Sequence, residues 1–258
     1  MMPLRVMTYN VLDGGVNRES YILQVIQAVN PDLIVMQEVT DANILRSFGQ
    51  TLRMQSFIGN GNRERKVALL SRLPVIDFKS HHPLLPIWHN VIEVEVEYRT
   101  DRTFRLFGVH LVANLWVGFE LWRLLEIRYI LRYAQESKNE LCLITGDFNT
   151  AAPTDTFMIK RMPKKIKNIL RLQGNRIFGF SIQSVLASGF IDCFRSMNPK
   201  EDGFTLPPPQ PNTRLDYIFT NPAMKQHLTK CWVVREPNAV TNASDHYPVV
   251  AEFHLENE

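Results

Sequence analysis

Six short polar signatures, each at the end of an apolar strand-like run, are spread over almost the whole chain and limit what it can fold into. They are Thr8-Tyr9-Asn10, Gln37-Glu38-Val39, Val109-His110-Leu111, Gly146-Asp147-Phe148-Asn149, Arg214-Leu215-Asp216-Tyr217 and Ser244-Asp245-His246. At a strand end a rigid sheet holds a carboxylate, amide or imidazole in a fixed place while leaving it open to substrate. Taken together the six describe a hard-metal site with an Asp/His pair, the equipment for cleaving phosphate esters.

A chain of 258 residues with 45% hydrophobic content has ample material for a substantial core. No Gly/Ser-rich linker, charge block, low-complexity tract or internal repeat divides it. The Pro-rich stretch Leu206-Pro207-Pro208-Pro209-Gln210-Pro211 lies between two signatures, so a boundary there would cut the site in half. One domain over 1–258 is expected. The amino terminus runs straight into a strand without the marks of a signal peptide. Apolar runs such as Leu141–Ile144 fall far short of the roughly 20 residues of a membrane span. These readings predict a soluble, cytoplasmic protein, with no obligate protein partner inferred and a monomer expected. Cys142, Cys193 and Cys231 are three in number, so they cannot all pair, and none has metal-ligand spacing. Two of them lie in apolar runs and are expected to pack as small hydrophobes.

Strand and helix patterns interleave along the chain. Leu4–Tyr9 reads as a strand, and Asp13-Gly14-Gly15 turns the chain out of it. Ile22, Val25, Ile26 and Val29 recur at helical spacing, which predicts a helix over 18–29 that ends before Pro31. Leu33–Met36 is a buried strand delivering Glu38. Alternation predicts strands at Val67–Ser71, Val91–Val96 and Phe104–Val109, with Glu93, Glu95 and Glu97 on one solvated face. Leu121, Leu124, Leu125, Ile127, Ile130, Leu131 and Ala134 form a broad helical stripe, and Leu141–Thr145 is a strand ending at Asp147. The last third predicts a helix near 181–188 and strands at Leu215–Thr220, Lys230–Val234 and Tyr247–Phe253. Many antiparallel-looking strands with helices between them suggest an α/β fold of packed sheets covered outside by helices.

Glu38 follows four apolar residues, where an ionised carboxylate is costly unless paired or bound to metal; it also reads as a strand-end acid reaching water. Asn10 fits a site and equally a turn, because Asn-x-x-Asp-Gly is good turn chemistry. In Gly146-Asp147-Phe148-Asn149 the two-residue spacing is expected to put acid and amide on the same side of an extended segment, with Phe148 in the core. Gly146 is expected to let the backbone approach a ligand closely. In a loop, Asp245 and His246 can face one pocket, the acid toward a metal and the imidazole toward substrate. Asp216 would then orient the His246 ring and raise its basicity. His81, His82, His89, His227 and His254 are read as structural or exposed.

Asn10 in Thr-Tyr-Asn-Val, Glu38 in Gln-Glu-Val, His110 in His-Leu, Gly146–Asn149, Leu215–Phe219 and Ser244–Val249 resemble, in order, the motifs of the endonuclease/exonuclease/phosphatase superfamily, from Met7 to Phe253. The superfamily includes deoxyribonuclease I, exonuclease III, neutral sphingomyelinases, inositol polyphosphate 5-phosphatases and deadenylases. The resemblance implies a four-layer α/β sandwich, two packed mixed β-sheets flanked by helices, and Mg²⁺- or Mn²⁺-dependent phosphoester hydrolysis. It implies that Glu38 ligates the metal with Asn10 adjacent and Asp245 helping. Asp147 and Asn149 would bind or orient water and phosphate, His110 would donate to a phosphate oxygen, and Asp216 would pair with His246. Either Asp147 or the Asp216–His246 pair is the general base. Two departures, Tyr9-Asn10 for Trp-Asn and His110 for Tyr, point away from the abasic-site branch around exonuclease III. Arg63, Arg65 and Lys66 precede a strand where relatives often have a Gly.

The formal net charge is only +3, yet residues 156–191 hold no Asp or Glu and seven basic residues, Lys160, Arg161, Lys164, Lys165, Lys167, Arg171 and Arg176. Such a cluster beside Asp147 suits a polyanion, most commonly a nucleic-acid backbone; it also reads as a solvated basic face. Trp116, Phe119 and Trp122 follow His110, and an exposed aromatic loop there stacks bases or dips into a membrane lipid surface. The expectation is therefore a nuclease with Lys164, Lys165, Lys167 and Trp116 on substrate. A lipid-headgroup (sphingomyelinase-like) or inositol-phosphate phosphoesterase is the alternative. A catalytically silent binding module is disfavoured, because every acidic and histidine position of the site is filled.

Overall fold

Strands apolar on both faces must be covered on both sides, and a computed structural model describing residues 3–61, 63–83, 87–136 and 140–255 shows how they are covered. In order, the first half comprises β1 (Leu4–Asn10), α1 (Glu19–Val29), β2 (Leu33–Val39), α2 (Ala42–Leu52), β3 (Gln55–Ile58), β4 (Lys66–Ser71), β5 (Val75–His81), β6 (Val91–Arg99), β7 (Arg102–His110) and α3 (Val117–Glu136). The second half continues with β8 (Cys142–Asp147), α4 (Lys164–Leu172), α5 (Phe180–Ala187), β9 (Ile191–Asp192), α6 (Cys193–Met197), β10 (Asp216–Thr220), α7 (Pro222–Lys225), β11 (Leu228–Val233), α8 (Val240–Ala243) and β12 (Val249–Phe253).

The strands form two six-stranded mixed sheets, ordered β11-β12-β1-β2-β4-β3 and β5-β6-β7-β8-β10-β9. Successive side chains alternate between two cores because a strand points them to opposite faces. Val6, Leu33, Val35 and Leu69 meet Val94, Leu106, Leu143 and Ile218 between the sheets. Met7, Ile34 and Met36 face outward under Ile22, Val25 and Ile26 of α1 and Leu45 and Phe48 of α2. Phe107, Val109, Ile144 and Phe219 pack outward under α3 and α5 through Ile127, Ile130, Leu131, Ile182 and Val185. The result is the predicted α/β sandwich, helices outside two stacked sheets.

The expected face of Glu93, Glu95 and Glu97 is not uniformly solvated. Glu93 is buried and pairs with His81 at 2.7 Å and with Arg105 at 3.4 Å, which holds its carboxyl below the usual range. In the α3 stripe, Leu121 and Leu125 point outward and stay exposed, while Ile127, Ile130, Leu131 and Ala134 are buried. All three cysteines are free and buried, Cys193 at the start of α6 rather than in a strand. Among the described residues no helix is long and apolar enough to cross a membrane.

Strand direction is what gathers the signatures. β1 and β2 run parallel, with Asn10 beside Gln37, and β7 and β8 run parallel, with His110 beside Asp147. β10 runs antiparallel to β8 and starts with Asp216 beside Asp147, and β12 starts beside the end of β1 with Val249 opposite Thr8. All six signatures therefore open at one edge of the sandwich.

Candidate active site

Glu38 is aimed by an irregularity in its strand. The β2–β4 register slips between Met36 and Val39, and Glu38 takes φ +62°, a conformation uncommon outside glycine and frequent where a bulge redirects a side chain. Its carboxylate accepts from Asn10 Nδ2 at 3.3 Å and from the Asp13 backbone N–H at 3.0 Å. Asn10 joins the two sheets at this edge, because the same Nδ2 donates to Asp147 Oδ2 at 3.0 Å. Its Oδ1 accepts from Leu12 N, so the turn reading and the site reading of Asn10 both hold.

Asp147 is fully buried and its Oδ1 accepts from the Asn149 N–H at 2.8 Å. This is a tight Asx turn, with Asn149 at φ +51°, and not the expected extended segment. Asn149 Nδ2 is tied to the Leu111 carbonyl at 2.9 Å. Phe148 enters the core as expected. Gly146 meets a need beyond the one anticipated: at φ +150°, a Cβ would collide with the carbonyl of Val109 on the neighbouring strand, so the close approach seen is to β7. Burial pushes Asp147 up to about 7, with the Asp216 charge adding to the effect and His246 opposing it.

The predicted pair is present. His246 Nδ1 lies 2.8 Å from Asp216 Oδ2 and its Nε2 lies 3.8 Å from Asp147 Oδ2. Burial alone would keep this imidazole neutral, but Asp216 and Asp147 outweigh it and push the ring up to about 10. Ser244 fixes the loop, donating to the Asn10 carbonyl at 2.6 Å and accepting from the His246 N–H at 3.2 Å. Asp245 is half-buried beside Glu38, and burial with the charges of Glu38 and Asp216 raises its pKa. His110 Nε2 sits 3.6 Å from Asp147 Oδ2, while burial holds the ring well below its ordinary value. Its buried Nδ1 and the buried Asp216 Oδ1 have no hydrogen-bond partner among the described residues.

Asp147, Asp216 and His246 bring ligand atoms within 4.8 Å of one another, but His246 Nδ1 is already committed to Asp216. That trio is better described as an acid–imidazole–acid relay. Glu38 and Asp245, close enough for the charge of one to raise the other's pKa, offer oxygen ligands only, the type that suits a hard cation. Two of the converging carboxylates, Asp147 and Asp245, are held above their ordinary pKa, as expected where buried acids gather around a place suited to positive charge.

Three neighbours were not anticipated. His89, read as structural or exposed, stacks flat on His110 with ring centroids 4.2 Å apart and planes within 1°. Burial lowers the His89 ring to about 4. Arg65 pairs with Glu38 at 3.4 Å and with Asp13 at 2.5 Å. Glu126 on α3 accepts from the Val112 N–H at 2.9 Å and the Trp88 N–H at 2.8 Å, joining the loop after His110 to the loop before His89. Arg65 was noted in the run Arg63, Arg65, Lys66 and His89 only as structural or exposed, because none of the three closes an apolar strand.

Of the substrate residues expected from sequence, the lysines lie on α4 and Trp116 on the loop following His110. Lys164 and Lys165 are exposed on α4, whereas Lys167 is half-buried and its Nζ donates to the Lys160 carbonyl at 2.8 Å. Gln173, just beyond α4, binds Val117 N and Leu115 O, which joins the basic helix to the loop following His110. Trp116 on that loop is 42% exposed. Phe119 is half-buried and Trp122 packs edge-on against Trp88 at 5.9 Å, so the aromatic run does not form one exposed face.

Comparison with known proteins agrees with the fold. An AP endonuclease from Archaeoglobus fulgidus superposes with a TM-score of 0.76 at 18% identity, over 98% of this chain and 100% of its own. A variant of the 3′ phosphatase NExo from Neisseria, bound to product DNA hairpin, gives 0.74 at 22% identity, over 97% and 99%. Truncated Caenorhabditis elegans TDP2 gives 0.70 at 17% identity, over 97% of each chain. No curated protein matches the sequence. The sequence model of the Endonuclease/Exonuclease/phosphatase family matches residues 7–246, a span that holds all six signatures, and the chain belongs to that family.

Proposed function

We propose that the chain is a divalent-metal-dependent phosphodiesterase acting on nucleic acid. The observation that carries this reading is the convergence of Glu38, Asp147, Asp216 and Asp245 with the imidazoles of His246 and His110 at a single edge, tied through Gln173 to the basic helix. Glu38 and Asp245, with Asn10 alongside, would hold Mg²⁺ or Mn²⁺. When bound, the ion would polarise a phosphoryl oxygen and neutralise charge developing there.

Asp147 is the general base in this reading. A carboxyl raised toward neutrality accepts a proton from water more readily than an ordinary one. Water attacks phosphorus, the ester P–O bond breaks, and the water proton passes to Asp147; the leaving oxygen takes a proton from solvent, to which Asp147 returns its own. His246, kept cationic by Asp216, faces the developing negative charge with its Nε2 edge. His110 presents an N–H to a phosphate oxygen, and the Asn149 amide, anchored through its nitrogen, keeps its oxygen for the attacking water. Lys164 and Lys165 hold flanking phosphates.

The test is hydrolysis of single- and double-stranded DNA, RNA and sphingomyelin vesicles with Mg²⁺ or Mn²⁺. Chelation should abolish turnover and either ion restore it, and Glu38→Ala should lose about a hundredfold or more in kcat. Full activity in exhaustively chelated protein would overturn the reading. A phosphoesterase working at a lipid surface is the second reading, favoured by the exposure of Trp116, Leu121, Leu125 and Leu172. Preference for vesicles over nucleic acid would establish it.

A further inference from the structure

The segment from Arg63 to Val67 is fastened to the loop before β6 by interactions at three alternate positions. The Arg63 guanidinium lies over the Trp88 ring at 4.2 Å. The Arg65 carbonyl meets His89 Nδ1 at 3.2 Å. The Val67 N–H donates to Asn90 Oδ1 at 2.9 Å, and Asn90 Nδ2 donates back to the Val67 carbonyl at 3.3 Å. His89 in turn stacks on His110. The segment is thus registered against the catalytic edge, which a free surface arginine would not be.

From this anchored backbone the Arg65 side chain reaches Glu38 and Asp13. The chain of polar partners runs Asp147, Asn10, Glu38, Arg65, which puts Arg65 across Glu38 from the base. A guanidinium has five N–H donors in a fixed fork, and these two ion pairs engage only its Nε and one Nη. The Arg65 side chain is 45% exposed and Asp13 58%, so an incoming anion displaces Asp13 at little cost. Glu38, once committed to a cation, no longer balances the arginine. The remaining fork suits bidentate capture of a phosphate.

We propose that Arg65, with Arg63 beside it, forms a second phosphate subsite that holds a phosphate other than the one being cleaved. The inference rests on the phosphodiesterase reading and narrows its substrate. The preferred substrate carries at least one further phosphate on the Glu38 side. The chain thus prefers linkages flanked by a further phosphate to isolated diesters.

The experiment compares TpT, which has one phosphate, with TpTpT, in the full chain with Mg²⁺. The ratio of kcat/KM for TpTpT over TpT, about tenfold or more in the native chain, should collapse toward one in Arg65→Ala and be partly kept in Arg65→Lys. Binding of a fluorescent oligothymidylate in Mg²⁺, with hydrolysis blocked by His246→Gln and read by anisotropy, should weaken at least fivefold when Arg65→Ala is added. Parallel loss on both dinucleotide and trinucleotide, with a higher Mg²⁺ requirement and unchanged oligothymidylate affinity, would show that Arg65 merely braces Glu38 and would overturn the subsite. Failure of the native chain to hydrolyse either substrate would instead sink the phosphodiesterase reading, and the binding measurement would still decide the subsite.

Discussion

His246 carries its charge only because two carboxylates surround it, and that makes it a measurable coupling between protonation and folding. Its folded pKa, about 10, lies above the ordinary value of 6.5. A proton is thus bound more tightly in the folded chain, so the stabilisation is fully present below 6.5 and is lost as pH rises toward 10. In EDTA-treated protein, stability measured by urea unfolding should fall by on the order of a few kcal/mol between about pH 7 and 10. His246→Gln should remove that slope, and an unchanged slope in the variant would show that the ring is not the cation described. In turnover, Asp216→Asn and His246→Ala should each lower kcat by about a hundredfold, and the double variant should be little worse than the worse single, since groups acting as a unit are not additive. Independent, multiplicative losses would separate the two residues. Asn10, Glu38, His110, Asp147, Asp216 and His246 were legible because each punctuates an apolar run. Arg65, His89 and Glu126 were not, because their partners are distant in sequence and nothing local marks them.

At the scale of elements, α3 shows where periodicity stops being informative. Its apolar positions predicted a helix correctly, yet Glu120, Arg123 and Glu126 are all about as buried as its core residues, at 1% exposure. Glu120 accepts from Ser181 N at 2.8 Å and pairs with Arg123, which donates to the carbonyls of Val112 and Asn114. Glu126 completes the set by accepting two loop N–H groups. A pattern reading assigns charged positions to solvent, so this polar seam, which fastens the loops around the site, was invisible. Glu126→Ala strands both N–H donors in a dry place, which costs about 3 kcal/mol or more. Glu126→Gln keeps one acceptor and should be milder. Chemical denaturation midpoints decide it, and an Ala variant as stable as the native chain would mean that the seam contributes nothing. The antiparallel returns of β10 and β12, which bring Asp216 and His246 to the edge, were likewise beyond the strand pattern, because pairing order depends on packing between distant segments. The family resemblance implied two packed mixed sheets but not which strands return antiparallel.

Across the whole molecule a formal charge of +3 hides an uneven distribution. The edge proposed to hold the metal is acidic, and a polyanion would be repelled from it without basic surfaces nearby. Helix α4 is the basic surface proposed for this role, and Gln173 ties its end to the loop after His110. Reversing Lys164 and Lys165 to Glu should weaken DNA or RNA binding at low salt. It should also flatten the slope of log affinity against log salt by about 0.7 to 0.9 for each phosphate that the helix no longer neutralises. Lys167 is excluded from the reversal because its ammonium is spent on the Lys160 carbonyl, so replacing it would confuse helix stability with binding. A lipid substrate would leave a different signature: Trp116→Ala would reduce turnover on neutral vesicles, and the charge reversals would act only on anionic ones. Binding and salt slope that survive the α4 reversal, together with reduced vesicle turnover in Trp116→Ala, would move the substrate from nucleic acid to the membrane surface. The basic helix would then be a solvated face, while the acid–imidazole edge kept its role.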